Sequence, residues 1–255
     1  MIMSTSNICD RSGQGKNNNE GNRLVDTNDL IARVGVNIAQ FLTQPNNVYH
    51  VALAYTTGSV PSTSAPSLRT EGRGNTFFST GAFGVKTDRD RMGAEASVAI
   101  GPVKLQAEYV NNNFSGTGFD RDINAYYVSA NWLITGEKYA DAYRAGAYGR
   151  IKPKSNFSPT GAGKGAWELG VRLSEFDGED FADAGPGRLT TGLTDKAKAV
   201  TVGLKWLPTP NTRFLLNYVK TDFDDKITFS QSGNPTASKS VDAETAITLR
   251  AQFDF

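Results

Sequence analysis

Basic side chains recur in this sequence at the polar positions of segments that alternate between polar and apolar residues. Lys104, for example, lies between Val103 and Leu105. Because successive side chains of a β-strand point to opposite faces, such cations share one face of a strand. Basic groups that line water and pass an ion from one to the next can conduct anions. Arginine suits oxyanions because its planar fork donates two hydrogen bonds at once. The candidate pore-lining residues on the polar faces are Arg33, Lys104, Arg172, Lys205, Arg213 and Arg250.

A further group of basic residues lies in the connection from Glu137 to Arg172. This stretch contains seven basic and three acidic residues, a net charge of +4. Lys152 and Lys154 lie near its centre, and we expect them to attract anions towards a pore. The alternative is a charge-balanced wall without anion preference. In that alternative the cations pair with wall carboxylates, namely Glu95, Glu108 and Glu168.

The sequence offers no recognisable catalytic motif. Its sole histidine, His50, lies in an alternating segment without a matched nucleophile, and no Gly-x-Ser-x-Gly occurs. With a single cysteine, Cys9, and a single histidine, the chain has no Cys/His metal cluster. We therefore predict a protein that is not an enzyme and that needs no cofactor.

The bulk composition excludes some classes of protein and leaves others open. The 27 basic and 26 acidic residues give a net charge of +1, which does not favour nucleic-acid binding. No apolar run reaches the roughly 18 residues that a transmembrane helix needs. The mean hydropathy of −0.39 fits a soluble protein, and it equally fits a barrel in which only alternate residues face lipid.

The last segment of the sequence, Val241 to Phe255, shows the alternation most clearly, with Ile247, Leu249 and Phe253 on one face. A soluble β-sandwich could end in this way, but a terminal aromatic residue anchors well at a membrane interface. We therefore predict an all-β protein, an antiparallel transmembrane β-barrel. The nine predicted strands lie at about 30–42, 49–55, 92–100, 103–109, 126–134, 167–174, 198–206, 212–221 and 241–255.

Short and long connections alternate along the chain, as periplasmic turns and extracellular loops do in bacterial barrels. A periplasmic C-terminus places the turn at 101–102 on the periplasmic side, and it places a polar loop at 111–120 outside. Residues 57–91 are predicted to be a mobile outer excursion with room for one short hairpin. The connection 136–164 is too long for a periplasmic turn, so we expect it to hide a strand pair near 143–152 or to fold inward. The predicted periplasmic aromatic girdle consists of Trp132, Trp206, Phe214, Phe253 and Phe255.

Nine strands are an odd number, whereas bacterial single-chain barrels have even numbers. Residues 1–28 are rich in Asn, Ser and Gly and contain no export signal, so we interpret them as a polar loop or disordered segment. Residues 29–255 then form the later part of a barrel. We expect the strands that should precede Leu30 to lie outside this sequence.

Several motifs follow one another along the chain in a specific order and spacing. They are Leu68 to Glu71, Thr80-Gly81, Gly93 to Ala96, Gly101 to Tyr109, Trp132 to Glu137, Gly165 to Leu169, Asn211, Arg213, Asn217-Tyr218 and Arg250 to Phe255. In this succession, about Leu30 to Phe255 resembles the phosphate-selective porin O and P family. The resemblance implies a barrel of about sixteen strands, of which about nine are present here.

The resemblance also implies a function and partners. Small anions such as phosphate are expected to cross the outer membrane of a Gram-negative bacterium by diffusion through a basic-lined pore. The complete barrel is expected to form a homotrimer and to engage the barrel-assembly machinery through its C-terminal strand. The constriction loop of the family is carried by early strands, so we expect it to be missing here. The alternative function is that of a small structural or binding β-barrel or β-sandwich without channel activity.

Overall fold

A computed structural model describes residues 2–4, 29–161, 163–231 and 234–254 of the chain. In this part of the chain the regular structure is almost entirely β. The strands are β1 (Ile2–Ser4), β2 (Leu30–Asn37), β3 (Asn47–Val60), β4 (Ser67–Arg69), β5 (Thr76–Ser79), β6 (Thr87–Ile100), β7 (Val103–Gly116), β8 (Phe119–Leu133), β9 (Tyr143–Arg144), β10 (Ala147–Tyr148), β11 (Ala166–Asp177), β12 (Lys196–Thr209), β13 (Thr212–Gln231) and β14 (Asn234–Phe253). Short 3-10 helices occupy Ile38–Gln40, Tyr139–Ala142 and Glu179–Ala182.

One antiparallel sheet of ten strands dominates the structure, in the order β1-β2-β3-β6-β7-β8-β11-β12-β13-β14. Its nine long strands are the nine that the alternation predicts, and they form one sheet rather than the two stacked sheets of a sandwich. The three-residue strand β1 falls in a segment predicted to be a loop, and residues 5–28 of that segment lie outside the described residues. Within the described ranges, β1 and β14 are the edges of the sheet, and no strand pairs with their outer sides.

Several strands extend beyond the alternating apolar segments from which their ends were predicted. Where a polar loop was expected at 111–120, β7 and β8 continue to a tight turn at Thr117-Gly118. That prediction was wrong because the polar side chains pair across the strands. Asn113 Nδ2 donates to Asp120 Oδ1 at 2.6 Å, and Asn111 Nδ2 donates to Asn124 Oδ1 at 3.0 Å. The polar residues at 111–120 therefore continue β7 and β8 into a solvated part of the sheet.

The convex face of the sheet is a continuous band of exposed apolar side chains. Val202, for example, is 40% exposed and Leu249 is 77% exposed. Exposed apolar area of this extent is unfavourable in water and is normal against lipid. On β6 the band runs from Met92 to Ile100, which is about 26 Å along a strand and about 20 Å tall at the tilt typical of barrels. That height is close to the roughly 25 Å apolar band of outer-membrane barrels.

Aromatic residues border this band at both ends. At the end where β6 turns into β7, called the inner end here, Trp206 stacks on Trp167 at 5.4 Å and on Phe214 at 5.6 Å. Phe253 lies 6.1 Å from Phe214, and Trp132 is about half exposed. The described members of the predicted girdle therefore lie at one end of the sheet, and Phe255 lies outside the described residues. Their position at a periplasmic interface stays a prediction.

At the opposite, outer end, tyrosine hydroxyls reach polar groups of neighbouring strands. Tyr55 donates to Asp90 at 2.7 Å, and Tyr126 donates to Glu175 at 2.6 Å. Amphipathic rings with one wet end are typical of a membrane interface. No helix in the part of the chain that the structure describes is long and apolar enough to cross a membrane.

The concave face is partly covered by two connections. Residues 61–86, the inward loop, join β3 to β6 and contain the hairpin of β4 and β5. The loop is not the mobile excursion that the sequence predicted, because its aromatic side chains are buried against the sheet. It packs with the connection 178–195, the acidic loop, into an outer core. The buried members of the outer core are Phe77, Phe78, Phe83, Phe114, Ile123, Phe181, Ala197, Phe223 and Ile227.

The second covering connection, residues 134–165, is the basic loop. It folds back onto the concave face at the inner end, and β9 and β10 form a two-stranded hairpin within it. Both options predicted for this stretch, a hidden strand pair and an inward fold, are therefore realised together. The basic loop and the strands beneath it form an inner core. Its buried members are Val48, Ala99, Leu133, Tyr139, Ala142, Ile151, Ala166 and Leu207.

Candidate functional site

Between the outer and inner cores, the concave face carries a belt of charged and hydroxylated side chains. The belt arises because the residues that alternate with the outward apolar ones point inward on every long strand. The register places Glu168 opposite Lys205, and it places Arg172 opposite Thr201. This charged belt contains most of the residues that the sequence singles out as candidates for an ion path.

Arg33, on β2, belongs to a network of an ion pair and hydrogen bonds that balances its charge. Its guanidinium forms an ion pair with Glu95 and donates to the Gly146 carbonyl at 3.1 Å. Glu95 Oε1 also lies 3.0 Å from Nε2 of the buried His50, and the Tyr143 hydroxyl lies 2.7 Å from His50 Nδ1. Arg33 and His50 thus fasten the β9–β10 hairpin to the wall, and the charge of Arg33 is balanced by Glu95.

Lys104, on β7, is covered by the basic loop. Its Nζ donates to Gln106 Oε1 at 3.1 Å. The ammonium also lies 4.7 Å from the ring centroid of Tyr148 and 5.2 Å from that of Tyr139. Cation–π contacts of this kind stabilise a cation with few other partners. Lys104 therefore anchors the inner core as well as facing the belt.

Arg172, on β11, meets the inward loop. Its guanidinium lies 4.0 Å from the Tyr127 ring centroid and 3.2 Å from Glu71 Oε1. Glu71 belongs to the tip of the inward loop, so a carboxylate from a distant connection neutralises this candidate cation. The side chain of Arg172 is still 44% exposed.

The cations of β12–β14 form the least compensated part of the wall. Lys205 pairs with Glu168 at 2.7 Å. Arg213 instead donates to the neutral Gln252 at 3.0 and 2.5 Å. Arg250, which follows Lys205 and Leu215 in the same row of the sheet, is exposed and has no hydrogen bond or ion pair with the described residues.

The two lysines predicted in the basic loop differ in their surroundings. Lys154 Nζ donates to the Thr135 carbonyl at 3.3 Å, and its backbone N–H donates to Glu137 Oε1 at 3.1 Å. Lys152 is exposed, and no described residue pairs with its ammonium. Nearby, Arg150 ties the loop to the end of β14 through Asp254 at 2.8 Å.

The tyrosines of the basic loop pack in the inner core as uncharged side chains. Burial is the main cause that raises the pKa of Tyr139, Tyr143 and Tyr148 above the ordinary tyrosine value. Because the ordinary tyrosine pKa is already about 10, an upward shift keeps these hydroxyls protonated at neutral pH. The inner core therefore contributes hydrogen bonds and ring faces to the wall, and no negative charge.

Sequence reasoning missed two carboxylates, Glu71 and Glu244, that join the inward loop to the opposite wall. Glu244 Oε1 accepts from Thr70 Oγ1 at 2.5 Å. A loop of this chain therefore crosses the concave face, whereas the sequence led us to expect no inward-folding loop before residue 136. The signal was present as Glu71-Gly72-Arg73-Gly74, a charged turn with two glycines. No group of three or more His, Cys, Asp or Glu side chains among the described residues could hold a metal ion.

Comparison with known proteins gives three results. The sequence model of the family "phosphate-selective porin O and P" matches residues 42–255. No protein with curated function matches the chain. Among solved structures, OmpT of Vibrio cholerae, an outer membrane protein folded in vitro, is similar with 13% identity and a TM-score of 0.45. The match covers 89% of this chain and 55% of that chain, so the present chain corresponds to little more than half of that structure.

Proposed function

Since the chain belongs to the phosphate-selective porin O and P family, we propose that it forms part of the wall of a pore that small anions cross by diffusion. The protein lies in the outer membrane of a Gram-negative bacterium. Its apolar convex band faces lipid, and its charged belt faces the aqueous path. The proposal includes the absence of enzymatic activity, because a pore needs a lining and no reacting group.

The observation that carries the proposal is the uncompensated charge on β13 and β14. Arg213 and Arg250 face the concave side, and neither forms an ion pair with a described residue. With Lys205 they occupy adjacent strands, so an anion leaving one cation meets another. Exposed Lys152 adds a further cation in the basic loop at the inner end. Such a series raises the local anion concentration without a single deep trap.

We further propose that the pore prefers phosphate-type oxyanions. This preference is supported by the family and by the bidentate geometry of arginine. Association into a homotrimer and recognition of the C-terminal strand by the barrel-assembly machinery stay predictions. So does the assignment of residues 29–255 to the later part of the barrel.

A pore without anion preference is the second candidate, and the ion pairs of the wall favour it. Arg33 pairs with Glu95, Lys205 with Glu168, and Arg172 with Glu71. Each pair cancels the field that its cation would otherwise contribute. The two candidates differ in whether the remaining cations act on a passing ion.

Charge removal on the wall distinguishes these candidates. We expect the double variant Arg213→Gln/Arg250→Gln of the full-length porin to lower the anion-over-cation permeability ratio, measured from the reversal potential in a salt gradient. The effect should be largest in dilute salt, because the screening length falls from about 10 Å at 0.1 M to about 3 Å at 1 M.

The matched control is Lys198→Gln/Lys220→Gln. It removes the same charge from outward positions at the outer end of β12 and β13, where the lysines pair with Glu175 and Asp222. The control should leave the permeability ratio unchanged. An unchanged ratio in the Arg213/Arg250 variant would instead support the pore without anion preference.

A further inference from the structure

The tip of the inward loop, residues 70–75, is fixed to the far wall of the concave face by hydrogen bonds to one carboxylate. Glu244, on β14, accepts from Thr70 Oγ1 at 2.5 Å. It also accepts from Asn75 twice, from the backbone N–H at 2.8 Å and from Nδ2 at 2.7 Å. The loop leaves the sheet between β3 and β6, so these bonds carry it across the concave face.

A second carboxylate, this time on the loop, makes the reciprocal contacts. Glu71 accepts from Ser174 Oγ at 2.7 Å and from Thr201 Oγ1 at 2.9 Å. It also pairs with Arg172. The tip is therefore joined to β11 and β12 through Glu71 and to β14 through Glu244.

Two glycines allow the tip to lie this close to the wall. A Cβ at Gly72 would lie 2.6 Å from the Ala246 Cβ, which is closer than real side chains approach. A Cβ at Gly74 would overlap the Glu244 carboxylate. Close backbone approach of this kind is a position that only glycine fills.

Two arginines lie at this tip, Arg73 within it and Arg69 immediately before it. Arg69 Nε donates to the Gly74 carbonyl at 2.8 Å, which fixes its direction. Arg73 is exposed and sits at a φ of 56° in the turn. Glu71 pairs with Arg172, whereas Glu244 keeps its negative charge because its donors, Thr70 and Asn75, are neutral. The contacts of the two carboxylates fix the loop segment that carries both arginines.

We infer that Glu71 and Glu244 form a carboxylate latch that positions Arg69 and Arg73 across the pore. The latch sets pore width and anion preference, an inference that rests on the proposed pore function. Glu71 and Glu244 are positioning residues, and the arginines they hold are the groups that meet the ion.

The test compares Glu244→Gln and Gly72→Ala in the full-length porin. Glutamine has one acceptor oxygen, so it cannot accept from both Thr70 and Asn75 as the two carboxylate oxygens of Glu244 do. A methyl group at position 72 pushes the tip from Ala246 without changing charge. Both variants should increase single-channel conductance and lower the anion-over-cation permeability ratio. Amide hydrogen exchange of residues 67–79 should become at least about tenfold faster in both, because the loop opens more often.

Each variant has a matched control on the same face. Glu108→Gln removes a wall carboxylate that contacts Tyr127 rather than the loop. Gly93→Ala adds a Cβ that meets only ordinary contacts, 3.7 Å from the Ala54 Cβ. Glu108→Gln should raise anion preference by removing a negative charge, and Gly93→Ala should change nothing. Neither control should accelerate exchange of residues 67–79.

The direction of the selectivity change decides the outcome. Loss of a carboxylate alone raises anion preference, whereas loss of the latch lowers it. If Glu244→Gln behaves like Glu108→Gln and exchange stays slow, the latch does not exist. If Glu244→Gln does not fold, Gly72→Ala decides by the same measurements. A wild-type pore without anion preference would overturn the proposed function, while the exchange rates would still decide whether the tip is latched.

Discussion

Two neighbouring residues of β12 offer a direct test of which face of the sheet meets lipid. Val202 lies on the convex face, 40% exposed, between Val171 and Tyr218 in the register. Thr201 points to the concave face and donates to Glu71. We compare Val202→Arg with Thr201→Arg, the same change made one residue apart in the full-length porin.

The expected costs differ because the two side chains meet different solvents. An arginine on the lipid face near the bilayer midplane costs about 2–4 kcal/mol. Val202 lies in the middle of the apolar band, two positions from Val200 and Leu204, so this range applies. At Thr201 the lost hydrogen bond costs about 1 kcal/mol, and an arginine there gains an exposed ion pair with Glu71 that offsets part of it. The difference between the variants should be at least about 1 kcal/mol.

The assay is equilibrium urea unfolding in lipid vesicles, followed by tryptophan fluorescence. Val202→Arg should shift the folding equilibrium by about 30- to 900-fold, which corresponds to its expected range of free energy. Thr201→Arg should shift it by about fivefold or less. Equal shifts in the two variants would refute the assignment of the convex face to lipid.

Two further predictions concern the loops. Phe181→Ala removes a fully buried ring that lies 5.5 Å from Phe78 and 6.0 Å from Phe114, and it should cost about 3–5 kcal/mol of local stability. Hydrogen exchange over residues 61–86 and 178–195 should accelerate. The control, Val171→Ala on the lipid face, should leave both loops protected. Protected loops in both variants would contradict the packing of the outer core. Burial raises the pKa of Tyr148, so the contribution of this residue to the inner core is intact below the ordinary tyrosine pKa of about 10 and is lost as pH rises through the higher folded value. Tyrosinate absorbance in wild type minus Tyr148→Phe should therefore appear only above about pH 10, and an earlier transition would contradict the burial of this hydroxyl.

The strands and their faces were predictable because a period of two is local information. In β14, the alternation that includes Ile247 and Leu249 identifies the apolar face from this strand alone. The other long strands can be interpreted in the same way. The strand ends were predicted less well. Residues such as Asn113 and Asp120 have loop composition, and only their pairing across β7 and β8 shows that the ladder continues.

The loops were not predictable to the same degree because their partners are distant in sequence. Asn75 and Glu244 are 169 residues apart, and no local pattern connects them. The candidate cations of the strands lie on the polar face that the alternation predicts. The carboxylates that pair with them were only partly predicted from the sequence. The sequence suggested Glu95 and Glu168 as counter-charges, whereas Glu71, which pairs with Arg172, lies in a segment that looked like an outer excursion.

The most direct test of the proposed function is the reversal potential of the wild-type, full-length porin in a planar bilayer under a salt gradient. The charges of β12–β14 predict stepwise conductance with a reversal potential of the sign for anion preference, which shrinks as salt rises and the screening length falls. Folded, inserted protein that gives no conductance steps, or a reversal potential of the opposite sign, would contradict an anion pore.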